Sequence, residues 1–407
     1  MRSLRQRLRD WIPQGLRARY HDYALRRDFG IDLRRRTRRP VSLDSHLARG
    51  LNVIGYFDSP TGVGESARGI ASAAEGAGER VARIDASRAG RSEPGDAPGD
   101  VNLYHVNADA AAAVVEELGP GLHAGRANIA YWYWETEEFP PGWSDRFGYF
   151  DEVWVASEYC RKAVEASSPL PVRIVPPAVA LPAGPTPGRA GLGLPKDPFL
   201  FFTAFDALSL PERKNPLGTI RAFAKAFPEP TRAALLVQVS NAKAVPGLVG
   251  AMRHAAERAQ VLIRDEEADR VKMAALFSAC DAYVSLHRAE GFGFPIAEAM
   301  SLGKPVIATD YSGSADFLDE TTGFPIRWSP MTLDRRVRDY PSGTKWAEPD
   351  ERHAVETLRR VVSDRDEALR RAEVGRRRIA DLSGPATVGA RVRSLLESLR
   401  ARLGKPS

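Results

Sequence analysis

Glu290 and Glu298 stand eight residues apart, enclose Gly291-Phe292-Gly293, and follow His287-Arg288. Glycines let backbone N–H groups approach a ligand closely, and a helix starting just after them adds the positive end of its dipole. Such a loop is a natural seat for phosphate. A second basic group, Arg213-Lys214, stands in Pro211-Glu212-Arg213-Lys214-Asn215-Pro216 ahead of another helical stretch. Such cations and oriented N–H donors, in a water-poor cleft, suit an anionic ligand on which negative charge develops. Two carboxylates also suit glycoside hydrolysis, but there the pair flanks the scissile bond and needs no phosphate cradle.

The elements around these residues are those of a βαβ unit. Asp281–Leu286 reads as a buried strand, Pro295 suits the first position of a helix that stops at Gly303, and Val306–Thr309 reads as the next strand. Parallel strands joined in this way need a right-handed crossover. Upstream, Pro198–Phe205 reads as a fully buried strand leading to Arg213 and Lys214, and Leu235–Val239 and Val261–Arg264 as further strands. A helix is expected over 266–280. Helices over 351–378 and 385–402 close the chain, with Trp346–Asp350 capping them and Asp364-Arg365-Asp366 lying mid-helix as solvated surface.

The first half repeats the alternation. Leu51–Tyr56 is a strand running into a loop with Gly62 and Gly64 and then an alanine-rich helix to about Gly78. The two glycines fall short of the three of a dinucleotide fingerprint, so they fit either a ligand-facing loop or a tight turn needed for packing. Strands are expected at 81–84, 101–107, 129–135, 152–156 and 172–175, and Ser157 as the cap of the helix carrying Cys160. The whole is α/β, two doubly wound domains, with 181–197, dense in Pro and Gly, as the linker. Ligands of such sheets bind beyond the carboxyl ends of the strands. That singles out His105, Asn107, Trp134 and Glu135 as cleft candidates, although His105 reads also as a satisfied core histidine. Trp132 and Trp134 share a strand face and read either as core packing or as a sugar platform.

The pattern His-Arg-x-Glu-Gly-Phe-Gly-x-x-x-x-Glu-Ala-Met, which spans residues 287–300, resembles the nucleotide-sugar-binding motif of glycosyltransferase family 4, the retaining GT-B enzymes. The resemblance covers most of residues 51–400. It implies a GT-B fold in which two Rossmann-like domains face each other across a cleft. Residues 50–185 would be the acceptor-binding domain, 186–385 the nucleotide-sugar-binding domain, and 386–407 a helix crossing back to the first. Glu298 would accept the ribose hydroxyls, and Glu290 would hold sugar hydroxyls. Lys214 and Arg213, with the amides of Phe292 and Gly293 beside Gly291, would hold the diphosphate. Arg264 would border the base, and Gly62 and Gly64 would border the donor phosphate from the other domain. The implied reaction is hexosyl transfer with retention from a GDP- or UDP-linked sugar, mannose being the candidate, onto a glycan or lipid-linked acceptor in cell-surface polysaccharide assembly, with neither metal nor cofactor. Two departures stand out. The family's histidine near Tyr133-Trp134-Glu135 is absent, and Ala204-Phe205-Asp206 replaces an arginine. The missing histidine leaves a catalytically inactive GT-B scaffold, or a membrane-recruitment subunit, as the alternative.

The 407 residues suffice for two full cores. No apolar run approaches the roughly 20 residues that span a bilayer. Cys160 and Cys280 form neither a disulfide framework nor metal-ligand spacing, so a cytoplasmic location is expected. The net charge of +6 is unevenly placed: residues 1–40 hold 13 Arg and 4 Asp, a balance of +9, leaving +6 − 9 = −3 for the rest. Residues 1–49 thus form a basic extension, with Leu4, Leu8, Trp11 and Ile12 at helical spacing. It suits an anionic membrane surface, with a solvated or packed arm as the plainer reading. No nucleic-acid motif accompanies it.

Overall fold

A computed structural model describes residues 14–34, 37–38, 43–59, 61–87, 99–182, 187–229 and 232–404. The amphipathic stretch read over residues 4–12 lies outside them. The chain enters through helix α1 (Gln14–Ala24) and a π-helical turn (Leu25–Phe29), then a short antiparallel ladder of β1 (Ile31–Asp32) with β2 (Thr37–Arg38). Leu25 and Ile31 are buried in the first domain's aromatic core, so this part of the extension is docked on the body.

The first sheet is parallel throughout, in the order β4-β3-β5-β6-β7-β8. Its strands are β3 (Ala48–Gly55), β4 (Val81–Asp85), β5 (Gly99–His105), β6 (Ala127–Trp132), β7 (Glu152–Val155) and β8 (Val172–Ile174). β5 and β6 are buried at every position, as strands covered on both faces must be. Helices α2 (Gly62–Gly76), α3 (Ala108–Leu118), α4 (Pro120–His123) and α5 (Glu158–Glu165) make the connections, with a long 3₁₀ segment over Pro141–Tyr149. Thr61 caps α2 by accepting the Gly64 N–H at 3.3 Å, and Ser157 caps α5 by accepting the Cys160 N–H at 3.1 Å. β6 ends at Trp132, short of the expected Glu135, because the chain turns away to follow the Asn107 side chain, which accepts the Tyr133 N–H at 3.0 Å.

The second sheet, also parallel, runs β11-β10-β9-β12-β13-β14. Its strands are β9 (Phe199–Asp206), β10 (Ala233–Ser240), β11 (Val261–Arg264), β12 (Ala282–Ser285), β13 (Val306–Thr309) and β14 (Phe324–Ile326). Helices α6 (Pro211–Lys214), α7 (Pro216–Ala226), α8 (Leu248–Ala256), α9 (Arg270–Ala279) and α10 (Phe294–Ser301) accompany it. The helix expected over 266–280 therefore begins four residues later, where Asp269 accepts the Lys272 N–H at 2.7 Å. A hairpin of β15 (Trp328–Thr332) with β16 (Lys345–Pro349) takes up most of 346–350, and Asp350 just after it caps the next helix, as expected, by accepting the His353 N–H at 3.0 Å.

The chain ends with α11 (Glu351–Ser363), α12 (Arg365–Ser383) and α13 (Pro385–Arg402). Asp364 separates the first two and caps α12 through the Glu367 N–H at 2.9 Å, so Asp364-Arg365-Asp366 begins a helix and does not lie within one. α13 returns to the first domain and packs along α2. There Arg400 is buried, 3.1 Å from Asp100 and 3.3 Å from Glu79. Among the described residues no helix is long and apolar enough to cross a membrane.

Candidate functional site

In each sheet the strand order reverses direction once, between β3 and β5 in the first and between β9 and β12 in the second. Loops diverge at such a switch point and open a crevice beyond the strand ends. Here the two crevices face one another and enclose a cavity of about 560 Å³. Gly62 and Asn107 line it from the first domain; Lys214, Glu290 and Glu298 line it from the second.

Glu290 follows β12 in a loop held from below. Its N–H donates to Ser312 Oγ at 2.8 Å and its carbonyl accepts the Gly313 N–H at 2.9 Å. Gly313 has to be glycine, since a Cβ there would stand 2.2 Å from the Gly291 carbonyl oxygen. His287 and Arg288 brace the same loop. His287 is fully buried and hydrogen bonded to Ser285 and Ser314, each at 3.2 Å, while Arg288 pairs with both oxygens of Glu348 at 2.6 and 3.1 Å.

Arg213 and Lys214 reach Glu290 from α6. Asn215, at φ 53°, fixes their approach: its side chain accepts the Gly218 N–H at 3.2 Å and donates to the Leu286 carbonyl at 2.8 Å. Lys214 Nζ binds Glu290 Oε1, and Arg213 Nη1 lies 3.4 Å from Glu290 Oε2. Arg213 is itself buried, donating to the carbonyls of Ala289 at 2.8 Å and Ser209 at 3.1 Å. Burial alone would raise the Glu290 carboxyl, but Lys214 and then Arg213 outweigh it and hold it at about 2. Glu290 is therefore a carboxylate throughout the neutral range. It accepts hydrogen bonds and has no proton to give.

Glu298 behaves oppositely. It sits on α10, 2% exposed, and burial pushes it up to about 7 although Arg270 binds it. Arg270, the first residue of α9, also lies 2.9 Å from Glu65 on α2. Neither Arg270 nor Glu65 stood out in the sequence; their one signal is a place in the first turn of a helix that follows a strand end.

Towards the other end of the cleft, Glu135 faces the cavity, accepts the Tyr340 hydroxyl at 2.8 Å and lies 3.6 Å from Arg213. Tyr340 comes from the turn between β15 and β16, a segment without any sequence signal. Gly62 and Asn107 line the cavity with Gly291, Phe292 and Gly293, whereas Gly64 does not. A Cβ on Gly64 would stand 2.5 Å from the Tyr56 carbonyl, so of the two readings of that pair packing holds for Gly64.

His105, Trp134 and Arg264 are placed away from the cavity lining. His105 is fully buried, stacked on Tyr131 at 4.2 Å and hydrogen bonded to Ser66 Oγ at 2.9 Å, and burial lowers its pKa to about 3. It is a core histidine behind Tyr133, whose hydroxyl donates to Ser66 at 2.6 Å. Trp134 is 5% exposed, donates Nε1–H to the Glu138 carbonyl at 2.7 Å, and is covered by the Tyr340 ring 5.5 Å away. Trp132 is buried against Phe139 at 5.6 Å. The two tryptophans are wall packing and present no platform to a sugar. The Arg264 guanidinium donates to the Leu192 carbonyl. Among the described residues no group of three or more His, Cys, Asp or Glu is arranged to hold a metal ion.

Residues 211–390, from α6 into α13, match the model of a family described as "Family 4 Glycosyltransferase in conflict systems". No curated protein sequence matches the chain. Solved structures similar to it include HepE from Anabaena in complex with UDP and glucose (14% identity, TM-score 0.61, covering 86% of this chain and 100% of that one). Sucrose-phosphate synthase from Thermosynechococcus elongatus is 16% identical, with a TM-score of 0.63 and coverage of 87% and 100%. A glycosyltransferase from Rickettsia africae is 13% identical, with a TM-score of 0.60 and coverage of 86% and 98%. At these identities the likeness is one of fold, two Rossmann-like domains in the GT-B arrangement.

Proposed function

We propose that the chain, a family 4-like glycosyltransferase of GT-B fold, moves a hexose from a nucleoside-diphosphate sugar to a glycan or lipid-linked acceptor with retention of anomeric configuration. The observation that carries this reading is the meeting, in one cleft, of Lys214, Arg213, a carboxylate held ionised between them, and a glycine loop opening α10. Ribose hydroxyls bind Glu298 and the diphosphate lies against Lys214, Arg213 and the Phe292 and Gly293 amides. Sugar hydroxyls bind Glu290, which turns the anomeric carbon towards Asn107 and Glu135. The bond from that carbon to the phosphate oxygen breaks, and the acceptor oxygen bonds on the same face. Its proton passes to the departing phosphate. Fixed charges that meet the developing negative charge supply most of the rate enhancement in such a site.

HepE was solved with UDP and with UDP-glucose, which supports a nucleoside diphosphate here and puts UDP beside GDP as a candidate. Mannose and glucose are the first sugars to try. Thermal-shift measurements with each nucleotide test the reading: stabilisation by one is expected, and none by either at millimolar concentration overturns it. Nucleotide-sugar turnover followed by mass spectrometry is expected to survive EDTA, and loss of turnover there contradicts a metal-independent route. Glu298→Ala is expected to weaken nucleotide binding, and unchanged affinity refutes the ribose contact.

A further inference from the structure

Arg270 joins three separate parts of the chain. Nη1 binds Glu298 Oε1 on α10, and Nε lies 2.9 Å from Glu65 Oε1 on α2. Nη2 donates to the Ala180 carbonyl at 3.3 Å, where the chain passes from one domain to the other. Glu65 is held in turn by Arg68, at 2.7 and 3.1 Å, and Arg68 is anchored on the Phe57 carbonyl at 2.5 Å and the Ser59 carbonyl at 3.0 Å. A line of alternating charge, Arg68, Glu65, Arg270, Glu298, therefore runs from the first domain into the second. Glu65, Arg270 and Glu298 all line the cavity.

We propose that Arg270 is a positioning residue for nucleotide-sugar binding: it holds Glu298 as a carboxylate aimed at the ribose, and through Glu65 it ties that state to the contact between the two domains. This rests on the ribose role of Glu298 given above. An ionised carboxylate offers both oxygens as acceptors to two hydroxyls, whereas a carboxylic acid turns one of them into a donor. Glu298 is buried enough that its charge needs support, and Arg270 supplies it from α9. The other titratable groups facing it are Glu65 from α2, which opposes ionisation, and the Tyr283 phenol from β12, which burial keeps neutral. Because burial pushes Glu298 up to about 7, the balance between Arg270 and Glu65 is struck within the working pH range.

The two neighbours pull in opposite directions, so their variants should move nucleotide binding in opposite directions. The test is the affinity of the full chain for UDP, or for GDP if that is the nucleotide that stabilises it, measured from pH 5.5 to 9. For the unaltered protein, affinity is expected to be level at high pH and to weaken by about tenfold per pH unit below a midpoint, the slope of one linked proton. Arg270→Gln is expected to raise that midpoint, weakening binding at pH 7 by at least about tenfold and restoring most of it by pH 9. Arg270→Lys keeps the charge and is expected to leave the midpoint near its original place. Glu65→Gln is expected to lower it. Glu298→Gln, with nothing to ionise, is expected to bind weakly at every pH.

A residue that only braces the fold would cost the same factor at every pH. An Arg270→Gln midpoint that stays put or falls, while Glu298→Gln still binds weakly, overturns the role of Arg270 and leaves the ribose contact standing. A Glu65→Gln midpoint that does not fall removes the arm across the cleft. Binding by Glu298→Gln equal to that of the unaltered chain overturns the ribose contact itself.

Discussion

Glu290 and Glu298 lie on one motif and are both nearly excluded from water, yet their charge states diverge, and the cause is the company each keeps. Two cations, Lys214 and Arg213, converge on Glu290 and hold it at about 2. Glu298 has one cation, Arg270, with Glu65 working against it, and burial leaves it at about 7. Both acids, the glycine loop and the two basic residues could be read from the chain, because a strand, a loop and a helix start keep them within a short span. Their charges could not, since Arg270 and Glu65 arrive from other elements. Nor could the direction of His105, which ends a strand at the cleft but turns back into the core. One consequence concerns stability. A carboxyl raised from its ordinary range to about 7 favours the fold when protonated, and that contribution is lost as pH rises through 7. Glu298→Gln is neutral at every pH. It is expected to melt with the unaltered protein near pH 5 and above it at pH 8, by up to about 3 kcal/mol. A lower melting temperature at pH 8 would mean that the Arg270 pair more than offsets burial.

The elements that carry the site were those with the clearest punctuation. Pro295, Pro216 and Ser157 each mark a helix start, and the buried strands β9 and β12 read as short, mostly apolar runs. The β15–β16 hairpin was hidden for a physical reason. β15 is Trp-Ser-Pro-Met-Thr, mostly exposed, with Pro330 inside it, so neither alternation nor a continuous apolar run announces a strand. Yet this hairpin delivers Tyr340 to Glu135 and covers Trp134. The short 3₁₀ turn after β13 matters in the same way, because its glycine sits directly beneath the Glu290 loop. Gly313→Ala would press a methyl group against the Gly291 carbonyl and shift Gly291 and Phe292 in the cleft. A displacement near 1 Å at a reacting centre costs on the order of 100-fold in rate, and a loss of that size in kcat/KM with the fold retained is the expected outcome. Activity within twofold of the parent would show that the loop absorbs the change elsewhere.

For the whole molecule, chain length and alternating elements were enough to indicate two doubly wound domains. The ties between them were not legible. Ser157 donates to the Gly291 carbonyl at 2.6 Å, Asp316 accepts the Glu158 N–H at 2.6 Å, and Tyr159 meets Tyr311 at 3.0 Å. Each joins residues more than a hundred positions apart and leaves no periodic trace. A further such tie is Arg400, buried between Asp100 and Glu79. Removing one partner of a buried ionic group leaves uncompensated charge, so Arg400→Met is expected to destabilise the protein by about 3–5 kcal/mol in chemical denaturation. A change below about 1 kcal/mol would show that water reaches Asp100 and Glu79 once the guanidinium is gone.

That tie also sets an order of events at the ribosome. Arg400 lies 300 residues after Asp100 and 321 after Glu79. Domains generally fold as they emerge, N-terminal first. Here the first domain is translated long before its own counter-charge exists. Until the chain reaches Arg400, Glu79 just after α2 and Asp100 on β5 lack that guanidinium, and a helix translated some 300 residues later completes the domain that was made first.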